Sequence, residues 1–493
     1  MTKSKIVSRT ASASLALSGS QLLAKLIDFF LVLVLARLLT PEDFALIAIA
    51  MIFVQVTEAI LQMHVGAALI RSKRVTRDML YTAFSISILR SVIVVGIILI
   101  LTPVAAFMFN EPRLNALMPV LALAPAVRGL FNPKMTLLAR RINYYPEAVI
   151  GIVARATTMA IALPFAIITK SYWALVLMTV LTPAFLTMAT YIYVPFLPKW
   201  SLKSWSIFAN MIGWTTVSQF FSAAHWQLNV FVLAQFSSRT TTGNYSVGSN
   251  LNGIVHQAFL RPLLVPFIST FSLLQKEGSL ETGYLTSSRV VLLATGPIFV
   301  ILAVLAGPIV LFLFGQEWQE APAFLAILAA CSLLSAPTGP AGSVAYAQDR
   351  TVFYAIHNAI AFVSLAVFLY LGFWLFGLPG FFIAQALGAV VFFGSALWMV
   401  KQLLNLGYVK QIRVLVMPYI SLMVMALFLW FTTRYVIYDS PWMLLLSIAS
   451  LSAISVLVYV LTVTIFWNLL GKPDGVERKV YEAVFKRHVS VAL

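Results

Sequence analysis

The sequence predicts an all-α integral membrane protein, and three observations carry that prediction. Of its 493 residues, 61% are hydrophobic and 10% are charged, whereas a soluble domain averages about 25% charged. A soluble chain of this size would lack the polar groups to cover its surface, so hydrocarbon is the solvent that fits. Apolar stretches long enough to cross roughly 30 Å at about 1.5 Å per residue recur from end to end. The charges sit in short clusters between those stretches. A formal charge of +17 would by itself suggest nucleic acid, but no single basic face forms and the clustering is the membrane pattern, so no nucleic-acid partner is expected.

Fourteen segments meet the length requirement: 12–38, 43–69, 79–109, 114–137, 146–169, 172–194, 206–236, 243–270, 286–314, 320–345, 352–376, 379–402, 413–434 and 442–469. Their connections are short, as at Asn110-Glu111-Pro112-Arg113 and Gly377-Leu378-Pro379-Gly380. Lys3, Lys5 and Arg9 before an apolar stretch imitate a signal peptide. The stretch that follows is too long for one and contains Lys25 and Asp28, so it reads as a retained first helix. Beyond Gly471, Val476, Val480, Val484 and Phe485 share one helical stripe beside Arg478, Lys479, Lys486 and Arg487. That pattern suits either an amphipathic helix on an anionic lipid surface or a solvated tail.

Positive charge sets the expected orientation. The termini and the even-to-odd connections hold 22 Lys and Arg residues, while the other side holds only Arg113, Lys170, Arg239 and Arg434. Both termini are therefore expected in the cytoplasm. The chain also repeats. Ser20-Gln21 and Leu35-Ala36 recur as Ser218-Gln219 and Leu233-Ala234, both 198 residues later, and Ala124-Pro125 has a counterpart in Ala336-Pro337. Two parallel six-helix halves follow (1–200 and 201–405), with two further helices (406–470) and a tail (471–493) appended. Parallel repeats are a transporter design with the substrate site between the halves.

With Arg289, Lys401, Arg413 and Arg434, near segment ends, counted with the connections, seven of the 33 Lys and Arg fall inside the apolar segments: Lys25, Arg37, Arg90, Arg128, Lys134, Arg155 and Arg261. A central one costs about 2.5–3.5 kcal/mol to insert, so such groups survive by lining water or meeting a partner. Only Asp28 and Glu58 are expected as buried acids. The excess of cations points to a wet cavity that receives an anion, with Lys25, Arg90, Arg128, Arg155 and Arg261 as candidates to hold it. Gln21, Asp28, Glu58, His225 and Asn229 are candidate cavity or coupling groups. Helical spacing supports them. Ser14, Ser18, Gln21, Lys25 and Asp28 share one face, as do Gln55, Glu58 and Gln62, then Gly151, Arg155 and Thr158, and Ser218, Ser222, His225 and Asn229. Asn250, Gln257 and Arg261 lie close to one face.

Each candidate has a plainer role open to it. Lys25 and Asp28, three apart, can neutralise each other. Arg37 and Lys134 can snorkel to headgroups. Arg90, Arg128 and Arg155 can pair with Glu58 or with main-chain carbonyls, and Arg261 can cap carbonyls freed by Pro262. His64, His225, His256 and His357 can carry protons or simply pack. Trp214, Trp226 and Tyr245 can stack on sugar rings or pack helices. No HExxH, P-loop, GxSxG or metal-spaced Cys/His cluster occurs, and Cys331 is the only cysteine, so no enzyme activity, cofactor or internal disulfide is expected.

Local residues add a resemblance. Leu35-Ala36-Arg37-Leu38-Leu39-Thr40-Pro41-Glu42-Asp43-Phe44 is similar to the helix 1–2 turn of the polysaccharide-transport (oligosaccharide flippase) branch of the MOP exporter superfamily, with Ala45 where that family commonly has Gly. Ala68-Leu69-Ile70-Arg71 followed by Thr82-Ala83-Phe84 resembles its helix 2–3 connection, and Leu137-Leu138-Ala139-Arg140-Arg141 the end of its fourth helix. The resemblance implies a flippase of the bacterial inner membrane. It would move a polyprenyl-diphosphate-linked oligosaccharide to the outer leaflet by alternating access, alongside polymerase and export machinery, for exopolysaccharide, capsule or O-antigen. A multidrug or cation antiporter of the same superfamily, and a membrane polymerase or ligase, stand as alternatives. The scarcity of acids argues against the first and the small outward loops against the second.

Overall fold

The computed structural model describes residues 23–61, 74–140, 145–209 and 214–469, with Gly19, Gly66, Leu69, Ser72 and Asn143. The expectations for Gln21, Gln62, His64, the side chain of Trp214 and the tail beyond residue 470 lie outside the described residues. Every regular element among the described residues is helical, which is the fold class expected.

In chain order the helices are α1 (residues 23–38), α2 (Pro41–Ile60), α3 (Arg77–Met108), α4 (Leu114–Leu121), α5 (Leu123–Gly129), α6 (Thr136–Arg140), α7 (Tyr145–Thr169), α8 (Trp173–Tyr193), α9 (Trp205–Ala209) and α10 (Trp214–Phe236). They continue as α11 (Arg239–Val255), α12 (Arg261–Lys276), α13 (Leu280–Val304), α14 (Ala306–Phe314), α15 (Ala321–Ser335), α16 (Pro340–Ala347), α17 (Thr351–Phe376), α18 (Leu378–Leu404), α19 (Tyr408–Thr432) and α20 (Pro441–Leu469).

Eleven spans among the described residues are long and apolar enough to cross a membrane. The other three expected segments differ for identifiable reasons. The first is described only over α1. The fourth is cut into α4, α5 and a 3-10 turn at Pro133–Met135. Pro125 disfavours a helical hydrogen bond to Leu121 four residues back, and the chain breaks at Ala122 between them. The seventh, α10, is long enough but carries Ser218, Gln219, His225, Gln227 and Asn229, which dilute its apolar character. Large side chains face outward all along the spans: Ile100 is 72% and Phe107 90% exposed. In water these would be a liability; against lipid tails they cost nothing.

The chain divides at Val247/Gly248, within α11, into two compact units. In the first, α2 packs along α10 and α3, α3 carries α4 and α5, and α7 pairs with α8. Packing thus groups the seventh segment with the first six. Helix-start caps occur at Thr40 and at Ser238, 198 residues later. At the start of α2, Asp43 N–H donates to Thr40 Oγ1, and Asp43 Oδ2 takes the Thr40 N–H in return. At the start of α11, Thr241 N–H donates to Ser238 Oγ at 2.9 Å. Gly243 stands 198 residues after Ala45. A Cβ there would lie 1.8 Å from the Pro41 carbonyl oxygen, so this position in the second copy admits only glycine.

In the second unit α13 is central, packed against α15 and α19, and α19 against α20. Leu292, Leu422, Met425 and Leu429 form the middle of that core. A π-helical turn, His256–Leu260, joins α11 to α12, and a 3-10 turn at Ala336–Thr338 bends the tenth segment where Ala336-Pro337 stands. The α17–α18 hairpin depends on close backbone approach: a Cβ on Gly380 would meet the Gly372 carbonyl oxygen at 1.9 Å. Gly380→Ala is therefore expected to destabilise the protein by about 1–3 kcal/mol. Gly394→Ala, in the same helix with nothing within 4 Å, should be neutral or slightly stabilising. Thermal melting of both variants in one detergent checks the contrast.

Candidate functional site

The candidate site lies in the first unit and begins at the end of α2. The last carbonyls of a helix have no partner within it. One of them, Glu58 O, accepts a bond of 3.1 Å from Arg90 Nη2 on α3. Arg90 thereby caps α2, an arrangement the helix dipole favours. Its Nε is buried and makes no hydrogen bond. The Glu58 carboxylate turns elsewhere, its Oε2 lying 2.5 Å from Arg128 Nη1 on α5.

Arg128 reaches that position because α5 lies flush on α3. A Cβ on the adjoining Gly129 would stand 2.0 Å from Ser91 Oγ, so only glycine permits the approach. Arg128 also lines a cavity of about 370 Å³, with Ser87, Phe131, Pro183 and Thr187 among its walls. At 47% exposed, its guanidinium is open to whatever enters.

The second carboxylate, Asp28 on α1, is held more firmly. Arg155 Nε on α7 lies 3.1 Å from each of its oxygens. Arg155 Nη1 bonds the Gly151 carbonyl one turn back at 3.1 Å, which fixes the guanidinium. Lys25 Nζ approaches the same carboxylate at 3.6 Å. Both acids are therefore engaged by arginines, and Arg90 by a carbonyl. The pairing left open by the sequence is what the structure displays. Each of the two groups keeps a cationic excess: Lys25 and Arg155 against Asp28, and Arg90 and Arg128 against Glu58.

The remaining candidates are dispersed. His225 and Asn229 lie on α10, half-buried and buried respectively, along the helix whose Gln227 Nε2 donates to Gln55 Oε1 on α2 at 2.5 Å. Arg261 belongs to the second unit, exposed at the first turn of α12 after the π-helical turn. Lys134 donates to the Pro195 carbonyl at 3.0 Å. Tyr245 is 2% exposed and serves packing, whereas Trp226 is exposed.

Two further polar clusters are assembled by the fold, from residues whose partners lie far off in the sequence. In the second unit Ser332 Oγ lies 2.9 Å from His256 Nε2 and 3.0 Å from Asn252 Nδ2. These three join α11, the π-helical turn and α15. In the first unit, the α3–α4 turn buries Glu111, 3% exposed. Arg113 Nε and Nη2 donate to it at 2.8 and 3.0 Å, and Arg239 Nη1 approaches at 2.7 Å. Arg239 Nη2 also bonds the Asn110 carbonyl at 3.0 Å. Phe109 beside it packs edge-on against Phe53 and Phe231. The Asn110–Arg113 segment reads as an ordinary short loop, because a sequence does not reveal that Arg239 comes to meet it.

Hydrogen bonding from Arg113, opposed by the cost of burial, holds the Glu111 carboxyl below the usual carboxylate range. A depressed native pKa stabilises the fold above the unfolded value of about 4.3. That contribution disappears as pH falls from there through the native value. Glu111→Gln should be less stable at pH 7 by about 1–3 kcal/mol, and its melting temperature should change less than the wild type's between pH 5 and pH 3, as read from paired melts in detergent.

Comparison with known proteins agrees with this architecture. The chain is 22% identical over 311 residues to the succinoglycan biosynthesis transport protein ExoT of Rhizobium meliloti (strain 1021), a match that spans 62% of each chain. The fold is similar to that of the lipid II flippase MurJ in its inward closed conformation (TM-score 0.69, 13% identity, 93% of this chain and 99% of that one). It is also similar to the Vibrio cholerae MATE transporter VcmN (TM-score 0.56, 14% identity, 82% and 99%). The family model described as "Polysaccharide biosynthesis protein" matches residues 34–323. That match covers more than half of the sequence and contains α2 to α14 with Arg90, Arg128 and Arg155, and the chain belongs to the polysaccharide biosynthesis protein family.

Proposed function

We propose that this chain is a flippase that carries a polyprenyl-diphosphate-linked oligosaccharide from the cytoplasmic to the outer leaflet of a bacterial inner membrane. Both termini lie in the cytoplasm, and the unit is delivered to polymerase and export machinery. The observation that carries this reading is the cationic excess at membrane depth. Two cations face one carboxylate in each of two groups, around Asp28 and around Glu58, and Arg128 opens on a cavity. A cell gains nothing by holding such charge in hydrocarbon unless an anion comes to it. A diphosphate suits the planar fork of arginine, which presents parallel donors to phosphoryl oxygens. The hydroxyls of Ser87 and Thr187 beside Arg128 donate to main-chain carbonyls and leave their lone pairs for sugar hydroxyls, and the prenyl chain stays in the bilayer.

The antiporter alternative needs carboxylates free to coordinate a cation, and both acids of this cluster are engaged by arginines. The chain acts as a carrier and not as an enzyme. The work required is to shelter a charged headgroup across about 30 Å of hydrocarbon, which calls for binding groups and a conformational cycle.

Charge-assisted hydrogen bonds are worth about 1.5–3 kcal/mol each. Arg128→Ala combined with Arg155→Ala should therefore reduce flipping by at least about a hundredfold while the protein still inserts in the membrane. The measurement is the leaflet distribution of lipid-linked units in cells lacking the wild-type gene and carrying the variant. Units trapped on the cytoplasmic leaflet are the expected result. Normal surface polysaccharide in the double variant would sink the anion-site reading. Units that reach the outer leaflet unpolymerised would favour a polymerase instead.

A further inference from the structure

One uncharged polar contact stands deep in the first unit and takes no part in the ion pairs. Gln55 is the fifteenth residue of α2 and Gln227 the fourteenth of α10, each roughly 20 Å along its helix axis from the first residue. Gln227 Nε2 donates to Gln55 Oε1 at 2.5 Å. That bond uses a donor of one amide and an acceptor of the other. The two outer atoms of the pair, Gln55 Nε2 and Gln227 Oε1, make no hydrogen bond among the described residues. Gln55 is exposed and Gln227 half-buried. An open amide is costly against lipid tails, which offer it no partner, so the exposure of Gln55 at this depth marks a wet face of α2.

We infer that the Gln55–Gln227 amide bridge is a sugar-binding site, which takes hydroxyls of a sugar ring in the glycan attached to the diphosphate. The inference deepens the proposed reading of Arg128 as a headgroup site and rests on it. Gln55 stands three residues before Glu58, one turn along the same face of α2, where side chains are about 5–6 Å apart at Cβ. Glu58 Oε2 meets Arg128. The bridge is therefore one helical turn from the carboxylate on Arg128, within reach of a glycan whose diphosphate is held there. The chemistry of the open atoms selects a sugar. A hydroxyl both donates and accepts. Ser87 and Thr187 beside Arg128 donate their protons to the Ala83 and Val127 carbonyls and offer acceptors alone. The amide bridge offers a donor, Gln55 Nε2, together with an acceptor, Gln227 Oε1. A cation finds no use for the first, an anion none for the second, and an acyl chain none for either.

The test is direct binding to the full-length protein in lipid nanodiscs. The probes are farnesyl diphosphate and its conjugates with one glucose, galactose or N-acetylglucosamine on the terminal phosphate. Wild type is compared with Arg128→Ala and with Gln55→Leu combined with Gln227→Leu, which removes both amides and strands neither. The expected result is a wild type that binds at least one conjugate about tenfold more tightly than farnesyl diphosphate, the gain from two neutral hydrogen bonds. The double variant should lose that gain and bind farnesyl diphosphate as wild type does. A gain that survives in the double variant, or no gain with any conjugate in wild type, would overturn the inference. So would equal weakening of every probe, which would make the bridge a fastener of α10 to α2 and nothing more. Farnesyl diphosphate binding that is equal in wild type and Arg128→Ala would overturn the anion-site reading itself, a separate result because no sugar enters it. Should the double variant fail to purify folded, Gln55→Asn carries the same test. It keeps the amide on a shorter side chain, so the sugar gain should fall while farnesyl diphosphate binding holds.

Discussion

A guanidinium in hydrocarbon must find an acceptor, and this constraint organises the first unit. Arg90, Arg128 and Arg155 come from three separate helical segments, and each reaches back to α1 or α2: Arg155 to Asp28, Arg128 to Glu58, Arg90 to the carbonyl of Glu58. The helices that supply these residues are thereby fastened at depth to the first two. Apolar packing alone cannot select one arrangement there, because lipid tails are as apolar as leucine. Close contacts complete the arrangement where side chains would obstruct it, at Gly129 against Ser91 and at Gly243 against Pro41.

The same constraint explains why the site is both paired and cationic. Two carboxylates lower the cost of four cations without abolishing it, and the remainder is what an anionic headgroup would neutralise. Pairing also differs between the two acids: Asp28 is clamped on both oxygens and joins α1 to α7, whereas Glu58 meets Arg128 through one oxygen. A cluster fully neutralised by its own acids would fold more cheaply and bind an anion poorly. One without acids would bind strongly but would carry the whole desolvation cost while empty.

Much of this was legible in sequence. The membrane class follows from composition, the segments from length, and the arginine candidates from charge at positions where charge is expensive. The matched dipeptides Leu35-Ala36 and Leu233-Ala234 are read in sequence alone, and caps stand at Thr40 and Ser238 at the same spacing. Less legible were the partners. Glu58 and Arg128 are 70 residues apart, and Asp28 and Arg155 are 127 apart. Periodicity assigns a residue to a face of its own helix and says nothing of what that face meets. The burial of Glu111 was hidden for the same reason, as was the meeting of His256 with Ser332.

The sequence by itself determined the solvent, the helical class and the excess of positive charge within the apolar segments. These depend on free energies of transfer, which each residue carries wherever it sits. Only the tertiary structure decided which arginine answers which acid, that Arg90 caps a helix, and that α10 packs with α2. These depend on distances between groups far apart in the chain. An ion pair exists only where two helices bring its partners within a few ångströms, and the packing of those helices is a property of the folded chain as a whole.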